Sequence, residues 1–323
     1  MEIRYNVPKQ KVSPEGEAIM ESAITIFNQI LKMFLMMSVG YLLYRKQTIN
    51  DDTTARLSNI LLMVATPCTI ITSFNQTYTP EKFKGLILAF LLSLAVYAAN
   101  ILIARLIYKP EQRVEKFGMV FSNAGFLGIP LVTGLLGIEA VFYLSPFIVC
   151  FYLYAWTYGV ILMSGDKNSV TIKKIVVNPC IWAMIIGVII FLLPVKPAQP
   201  IMEAVNSLGS MNTPLAMLVL GAYLAKSPLI HMFKNKTAYH VSVVRLVLVP
   251  AALLAAFSLI PDSFATIRTV ILVSAAAPSA VLAPVFAQMF DRDITLGAEI
   301  VSLSTILCLF TLPLVLLIAE MIW

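Results

Sequence analysis

The chain has 323 residues, of which 59% are hydrophobic and only 12% are charged, and its net charge is +6. Soluble domains carry about 25% charged residues, so this composition excludes an ordinary soluble protein and predicts an integral membrane protein. The Lys and Arg residues lie between apolar segments and do not cluster on one face, which excludes nucleic acid as a partner and leaves membrane lipid as the surroundings.

Ten apolar segments follow a polar N-terminal tail, and each approaches the ~20 residues that cross a bilayer. The tail, residues 1–19, is native or an added segment, and it lacks the basic-then-apolar order of a signal peptide. The predicted transmembrane spans are 22–44, 55–75, 84–108, 116–137, 140–164, 175–194, 205–225, 238–260, 266–290 and 294–322.

Two polar side chains in the first two spans are candidate ligands. Lys32 lies about ten residues into span one, where a charge costs ~3 kcal/mol or more. It attracts an anion there, or it extends along the helix to the membrane surface. Thr66 in span two is a weaker candidate, and the alternative is a hydrogen bond between packed helices.

Span four is interrupted by Ser122 to Pro130, and span nine is interrupted by Pro278 to Pro284. A broken helix at membrane depth survives only where protein or a water-filled cavity surrounds it. Two broken spans at corresponding places in two halves of a chain are the best sequence indication of a transporter's substrate site.

The broken spans suit an anion. A helix that breaks at Gly128 to Pro130 exposes N–H groups at the start of its second half, where Pro is tolerated. Such an N-terminus carries about half a positive charge and binds anions, and the Asn123 amide adds a donor for a carboxylate. The alternative is that Gly and Pro only permit close helix packing.

The Lys and Arg residues predict the orientation. With the N-terminus outside, the inner loops and their flanks carry fifteen of these residues, and the outer loops carry four, Lys82, Lys84, Lys196 and Arg268. Arg245 is counted with the inner group, as an anchor at the membrane surface, and the alternative is that it pairs near the site. Ten spans then place both termini outside a plasma membrane, the inner membrane of a bacterium.

The order of prolines repeats. Span two contains Thr66-Pro67, and Pro130 of span four follows Pro67 by 63 residues. Span seven contains Thr213-Pro214, and Pro284 of span nine follows Pro214 by 70 residues. Because each half holds five spans, an odd number, the halves 20–164 and 165–323 have opposite orientations. This pattern predicts an inverted repeat.

The motifs resemble those of a known family. Asn123 to Leu131 is similar to the fourth-helix motif of the auxin efflux carrier family, and Pro278 to Phe290 is similar to its ninth-helix motif. The segment from Asp293 through Leu314 resembles the last helix of that family. The resemblance implies an all-α membrane fold of ten helices in two inverted five-helix repeats, with helices four and nine crossing at their breaks, as in bile-acid symporter-like folds.

The resemblance also implies a domain division and a substrate class. Helices 1, 2, 6 and 7 would form a scaffold, often dimeric, and helices 3–5 and 8–10 would form a transport domain. The implied substrates are organic anions, namely indole-3-acetate in plants and malate-type or malonate-type carboxylates in bacterial members. The Asn that corresponds to Asn123 is a substrate ligand in the family.

The function predicted is a secondary transporter that exports a small organic anion by elevator-like alternating access, with no enzyme motif and no cofactor or metal. No Asp or Glu lies at a break, so an obligatory protonated carboxylate is not expected, although Na⁺ or H⁺ coupling stays open. The alternatives are a sodium-coupled uptake symporter and a transport-inactive membrane sensor. The candidate site residues are Asn123, Ser122, Gly125, Gly128, Pro130, Pro278, Ser279, Pro284, Thr66 and Lys32.

Overall fold

The computed structural model describes residues 14–193, 197–227 and 229–323, and the described chain is helical apart from one isolated bridge between two residues. The helices are α1 Pro14–Arg45, α2 Asp51–Phe74, α3 Pro80–Ile107, α4 Arg113–Val120, α5 Ala124–Leu136, α6 Ile138–Ser164, α7 Ile172–Val176, α8 Pro179–Leu192, α9 Gln199–Lys226, α10 Leu229–Met232, α11 Lys236–Phe257, α12 Ala265–Ala276, α13 Leu282–Met289 and α14 Ile294–Ile322.

Seven of the described helices are long and apolar enough to cross a membrane: α1, α2, α3, α6, α9, α11 and α14. The three other predicted spans fall on shorter pieces, namely α8 and the broken pairs α4–α5 and α12–α13. The protein is therefore an all-helical membrane protein, while ten crossings and an inverted repeat remain predictions.

The predicted N-terminal tail, residues 1–19, overlaps the start of α1. Residues 1–13 lie outside the described residues, but α1 already begins at Pro14, inside the segment predicted as a tail. Proline suits the first turn of a helix because its missing N–H would have no partner there. Polarity alone therefore did not mark where this helix begins.

Prolines shape three of the long apolar segments without ending them. Pro67, Pro130 and Pro250 each follow a π-helical turn by two residues. In each turn the N–H before the proline donates to the carbonyl five residues back; Ile129, for example, donates to Ala124. A proline ring clashes with the carbonyl four residues before it, and the wider turn relieves that clash while the helix continues.

Helix α1 packs along the second half of α9 through glycine. A side chain at Gly40 would overlap the backbone of Leu218, and one at Gly221 would overlap the backbone of Met37 and Tyr41. Small residues let helix backbones approach closely in membranes, where packing replaces the hydrophobic effect. This contact joins the first helix of one predicted half to a helix of the other.

Candidate functional site

The two broken helices meet at their breaks. Ser122 and Ser279 form an antiparallel bridge, in which the Asn123 N–H donates to the Pro278 carbonyl (2.7 Å) and the Ala280 N–H donates to the Phe121 carbonyl (2.9 Å). Backbone groups freed at one break are therefore satisfied by the other, as the membrane interior requires. Helices α4 and α12 end at this bridge, and α5 and α13 begin there.

The first break lies earlier than the sequence predicted. The chain leaves the helix at Phe121 and resumes it at Ala124, whereas Gly128 and Pro130 lie within α5. The π-helical turn accommodates Pro130, so no break is needed at that residue. The free N–H groups predicted at Gly128 therefore belong to the first turn after Asn123.

The second break has a proline as its cause. Ala277 is extended, with ψ near 152°, and Pro278 follows it. The residue before proline is disfavoured in the helical region, and proline donates no hydrogen bond, so α12 ends here. Pro284 is the third residue of α13, whereas Pro130 is the seventh of α5, so these two prolines do not occupy equivalent positions.

Arg245 lies directly behind the bridge, and its predicted role as an anchor at the membrane surface is wrong. Its side chain is fully buried (0% exposed). Its guanidinium donates to carbonyls at the ends of both first half-helices: Met119 (2.9 Å) and Val120 (3.4 Å) of α4, and Ala275 (2.6 Å) and Ala277 (3.2 Å) at the end of α12. The Asn100 amide also donates to the Val120 carbonyl (3.3 Å).

A cavity of about 290 Å³ opens beside the bridge. Asn123 lines it, is 3% exposed, and its amide nitrogen has no hydrogen-bond partner among the described residues. Gly125 lines it too, and a Cβ at Gly125 would meet nothing within 4 Å. The other lining residues are Ala55, Ser58, Asn59, Leu62, Ser122, Phe126, Ile148, Phe151, Tyr152, Tyr223, Ala280, Val281, Leu282 and Val285.

A second cavity of about 310 Å³ adjoins the first, and both are lined by Tyr223, Val281 and Val285. It extends to Lys226, whose ammonium pairs with Asp51 at 2.9 Å on the surface. Both residues lie at helix ends, Asp51 at the start of α2 and Lys226 at the end of α9, on the side that the charge pattern predicts to be cytoplasmic. The two cavities thus form a path from the bridge toward that side.

The candidate residues divide into three groups. Asn123, Ser122 and Gly125 line the cavity at the bridge, and Pro284 lines the adjoining one. Pro278 and Ser279 belong to the bridge itself: the Pro278 carbonyl accepts from the Asn123 N–H, and Ser279 pairs with Ser122. The remaining four candidates, Gly128, Pro130, Thr66 and Lys32, line neither cavity and take no part in the bridge.

The last four residues have other environments. Thr66 is buried and accepts a hydrogen bond from the Asn212 amide (2.8 Å), so it joins α2 to α9. The Pro130 carbonyl accepts from the Gln29 amide of α1 (3.0 Å). Lys32 is exposed on the surface of α1. Thr66 thus follows the packing alternative, and Lys32 does not face the described cavity.

A buried carboxylate lies away from this path. Glu299 is 1% exposed and accepts hydrogen bonds from His231 (2.7 Å) and Asn235 (2.5 Å). Neither cavity has an Asp or Glu among the residues described as lining it.

Sequence reasoning preferred a surface anchor for Arg245 and kept a role near the site only as the alternative, and it missed Ser58, Asn59, Tyr152 and Tyr223 as cavity residues. A signal for Arg245 existed, because it lies seven residues inside predicted span eight and an ionisable residue at that depth indicates a functional site. Ser58 and Tyr223, whose hydroxyls lie 3.4 Å apart, come from helices distant in sequence. No local pattern marks such a pair.

Comparison with known proteins identifies the family of this chain. A family model described as "Membrane transport protein" matches residues 25–316. An uncharacterized transporter of Methanothermobacter thermautotrophicus is 29% identical over 303 residues, which are 88% of this chain and 95% of that protein. An uncharacterized transporter of Methanocaldococcus jannaschii is 26% identical over 302 residues, which are 88% of this chain and 96% of that protein.

Proposed function

The chain belongs to the membrane transport protein family, as the resemblance to auxin efflux carriers indicated, and on that premise we propose that it is a secondary carrier for a small organic anion bound at the crossover. The preferred direction is export. No enzyme activity enters this proposal, because the family and its relatives are transporters.

The unpartnered amide of Asn123 carries the proposal. A buried N–H donor without a partner costs about 1–3 kcal/mol, so its place in a cavity calls for a ligand with an acceptor atom. Helices α5 and α13 both begin at the bridge beside it, and each N-terminus favours a negative charge. A carboxylate would accept from the Asn123 amide and interact favourably with the N-termini of α5 and α13.

The cavity wall favours one kind of carboxylate. Its apolar and aromatic lining residues include Leu62, Phe126, Ile148, Phe151 and Tyr152, and no charged side chain is among its described lining residues. A second carboxylate of a malate-type substrate would meet only uncharged donors there, from Ser58, Asn59 and Tyr223, and its desolvation without a cationic partner is costly. The substrate that fits is therefore a monocarboxylate with an apolar or aromatic body.

The cavities support alternating access from a cytoplasm-facing state. They lead from Asn123 to Lys226, on the side predicted as cytoplasmic. On the opposite side of the bridge, α1 contacts α5 through the hydrogen bond from Gln29 to Pro130, and Gln29 also fills the space that a side chain at Gly134 would take. Export requires this contact to open, as in an elevator or rocking movement.

The test is thermal unfolding of the purified full chain with mono- and dicarboxylates, each with and without Na⁺. A ligand that binds only the folded state raises the unfolding temperature by mass action. We expect stabilisation by an apolar monocarboxylate such as 3-phenylpropionate, and less by malate or by the uncharged 3-phenylpropanamide. The shift should be lost in Asn123→Ala and kept in Lys32→Gln, a matched control on α1.

Other outcomes decide between the alternatives. Stabilisation by Na⁺ alone, or by carboxylate only when Na⁺ is present, would favour the sodium-coupled symporter on the same fold. Binding of a carboxylate without its movement across proteoliposomes would favour a membrane sensor. Equal stabilisation of wild type and Asn123→Ala would overturn the binding assignment.

A further inference from the structure

We propose that Arg245 is the residue that makes the crossover select anions: its charge cancels the negative ends of two half-helices and leaves their positive partners unopposed. The proposal rests on the carrier function above and assigns the origin of its charge preference. Arg245 is a positioning residue in this sense, since it lines neither of the described cavities.

Four helix ends meet at the bridge, and their charges cancel in pairs. Helices α5 and α13 present N-termini, while α4 and α12 present C-termini. Each N-terminus carries about +0.5 of an elementary charge and each C-terminus about −0.5. A crossover built from these four ends alone would be neutral and would not distinguish an anion from a cation.

Arg245 breaks that balance because it contacts only the negative pair. Its three nitrogens donate to four carbonyls, two from the end of α4 and two from the end of α12, at 2.6–3.4 Å. No salt bridge within the described residues pairs it with an acidic side chain. Its full charge therefore matches the two negative ends and leaves the N-termini of α5 and α13 as a net positive site.

The separation allows the charge to act on a bound ligand. Val120, whose carbonyl Arg245 contacts, is three residues before Asn123, which limits their separation along the chain to about 10 Å. Under an effective dielectric constant of about 20, a unit charge at ~10 Å changes the affinity for an anion roughly tenfold. The bridge and the first residues of α5 keep the guanidinium out of the cavity, so it acts through its field and not by contact.

The first experiment measures the potential without a substrate. A thiol is placed at the cavity wall by Asn123→Cys in a Cys68→Ala background, since the other three cysteines are buried. Its alkylation by iodoacetamide is followed at pH 7 and pH 10. The rate at pH 7 divided by the rate at pH 10, called the thiolate ratio below, reports the thiolate fraction independently of access. Arg245→Gln should lower this ratio about tenfold, while Arg245→Lys should keep it within about twofold.

A second variant covers the case in which Arg245→Gln does not fold. Asn100 and Arg245 both contact the Val120 carbonyl, so Asn100→Asp places a carboxylate beside the guanidinium and cancels its charge without removing it. It should lower the thiolate ratio as Arg245→Gln does. The control is Arg268→Gln, a buried arginine that also donates to a backbone carbonyl, that of Ile260, away from the crossover.

The second experiment compares binding of 3-phenylpropionate with that of its uncharged amide, in vesicle-reconstituted protein. Arg245→Gln should reduce the preference for the carboxylate about tenfold and leave amide binding unchanged. Unchanged thiolate ratios in folded Arg245→Gln and Asn100→Asp would overturn the assignment of the charge to Arg245. If Arg245→Gln lowers the thiolate ratio but the wild-type protein binds no carboxylate, the proposed function is overturned and the assignment of the charge to Arg245 is retained.

Discussion

The two breaks at the crossover look alike in sequence but differ in chemistry. At the first, Asn123 places an unpartnered amide in the cavity, and Gly125 leaves open space beside it. At the second, the Ser279 N–H donates to the Ser304 hydroxyl (3.1 Å), and Pro278 offers only its carbonyl to the bridge. Ser279 does not line the cavity, whereas Ala280 and Val281 do.

Under the proposed function, we expect the first break to contribute the ligand contacts and the second to contribute mainly packing. If the two breaks had equal roles, each would place a polar side chain in the cavity. Instead the second break adds a helix N-terminus and an apolar wall, and α14 supports it from behind. The four predictions below test this division of roles.

The largest effect is expected when the cavity is filled at the first break. Gly125→Val projects methyl groups into the open space, which should reduce transport at least ~100-fold with little change in unfolding temperature. Gly128→Ala is the matched control, since its Cβ would lie 3.4 Å from the Ala124 side chain, an ordinary contact. Transport by Gly125→Val at the wild-type rate would show that the ligand binds elsewhere.

The amide at the first break should matter far more than the hydroxyl at the second. Asn123→Ala removes a hydrogen bond to a charged ligand, worth about 1.5–3 kcal/mol, so carboxylate affinity should fall roughly 10- to 100-fold. Ser279→Ala removes a buried hydroxyl without a partner in the described chain and should change affinity less than ~3-fold. Calorimetric titration measures both, and equal losses would contradict the division of roles.

The second break should be sensitive to packing. A Cβ at Gly297 of α14 would lie 3.0 Å from the backbone of Pro284, so Gly297→Ala must push α14 away from α13. We expect a loss of about 1–3 kcal/mol in stability, with carboxylate affinity of the folded protein nearly unchanged. Denaturant unfolding and ligand titration on the same sample separate the two effects. A change in affinity alone would give this break a direct ligand role.

The smallest effect is expected on α1. Lys32 is exposed and lies outside the described cavity linings, so Lys32→Gln should leave carboxylate affinity and transport within ~2-fold of wild type. Transport of a labelled carboxylate in proteoliposomes measures this. A tenfold loss would mean that Lys32 faces the substrate in another conformation of the carrier.

The amino-acid sequence was enough to assign the class of protein and to identify the two segments that break. Hydropathy and the two interruptions suffice because lipid penalises every unsatisfied backbone group, so breaks are rare and informative. Asn123 and Gly125 were found this way. The interruption at Gly128 to Pro130 was placed too late, because a proline pattern does not distinguish a break from a π-helical turn that accommodates it.

Only the tertiary structure decided how the two breaks share their work. The bridge pairs Ser122 with Ser279, and Arg245 contacts the Met119 carbonyl, so both join residues more than 100 positions apart. No local pattern encodes such contacts. The same holds for the cavity wall that joins Ser58 to Tyr223. Composition and periodicity report what each segment prefers, whereas the charge and shape of the site come from segments brought together by packing.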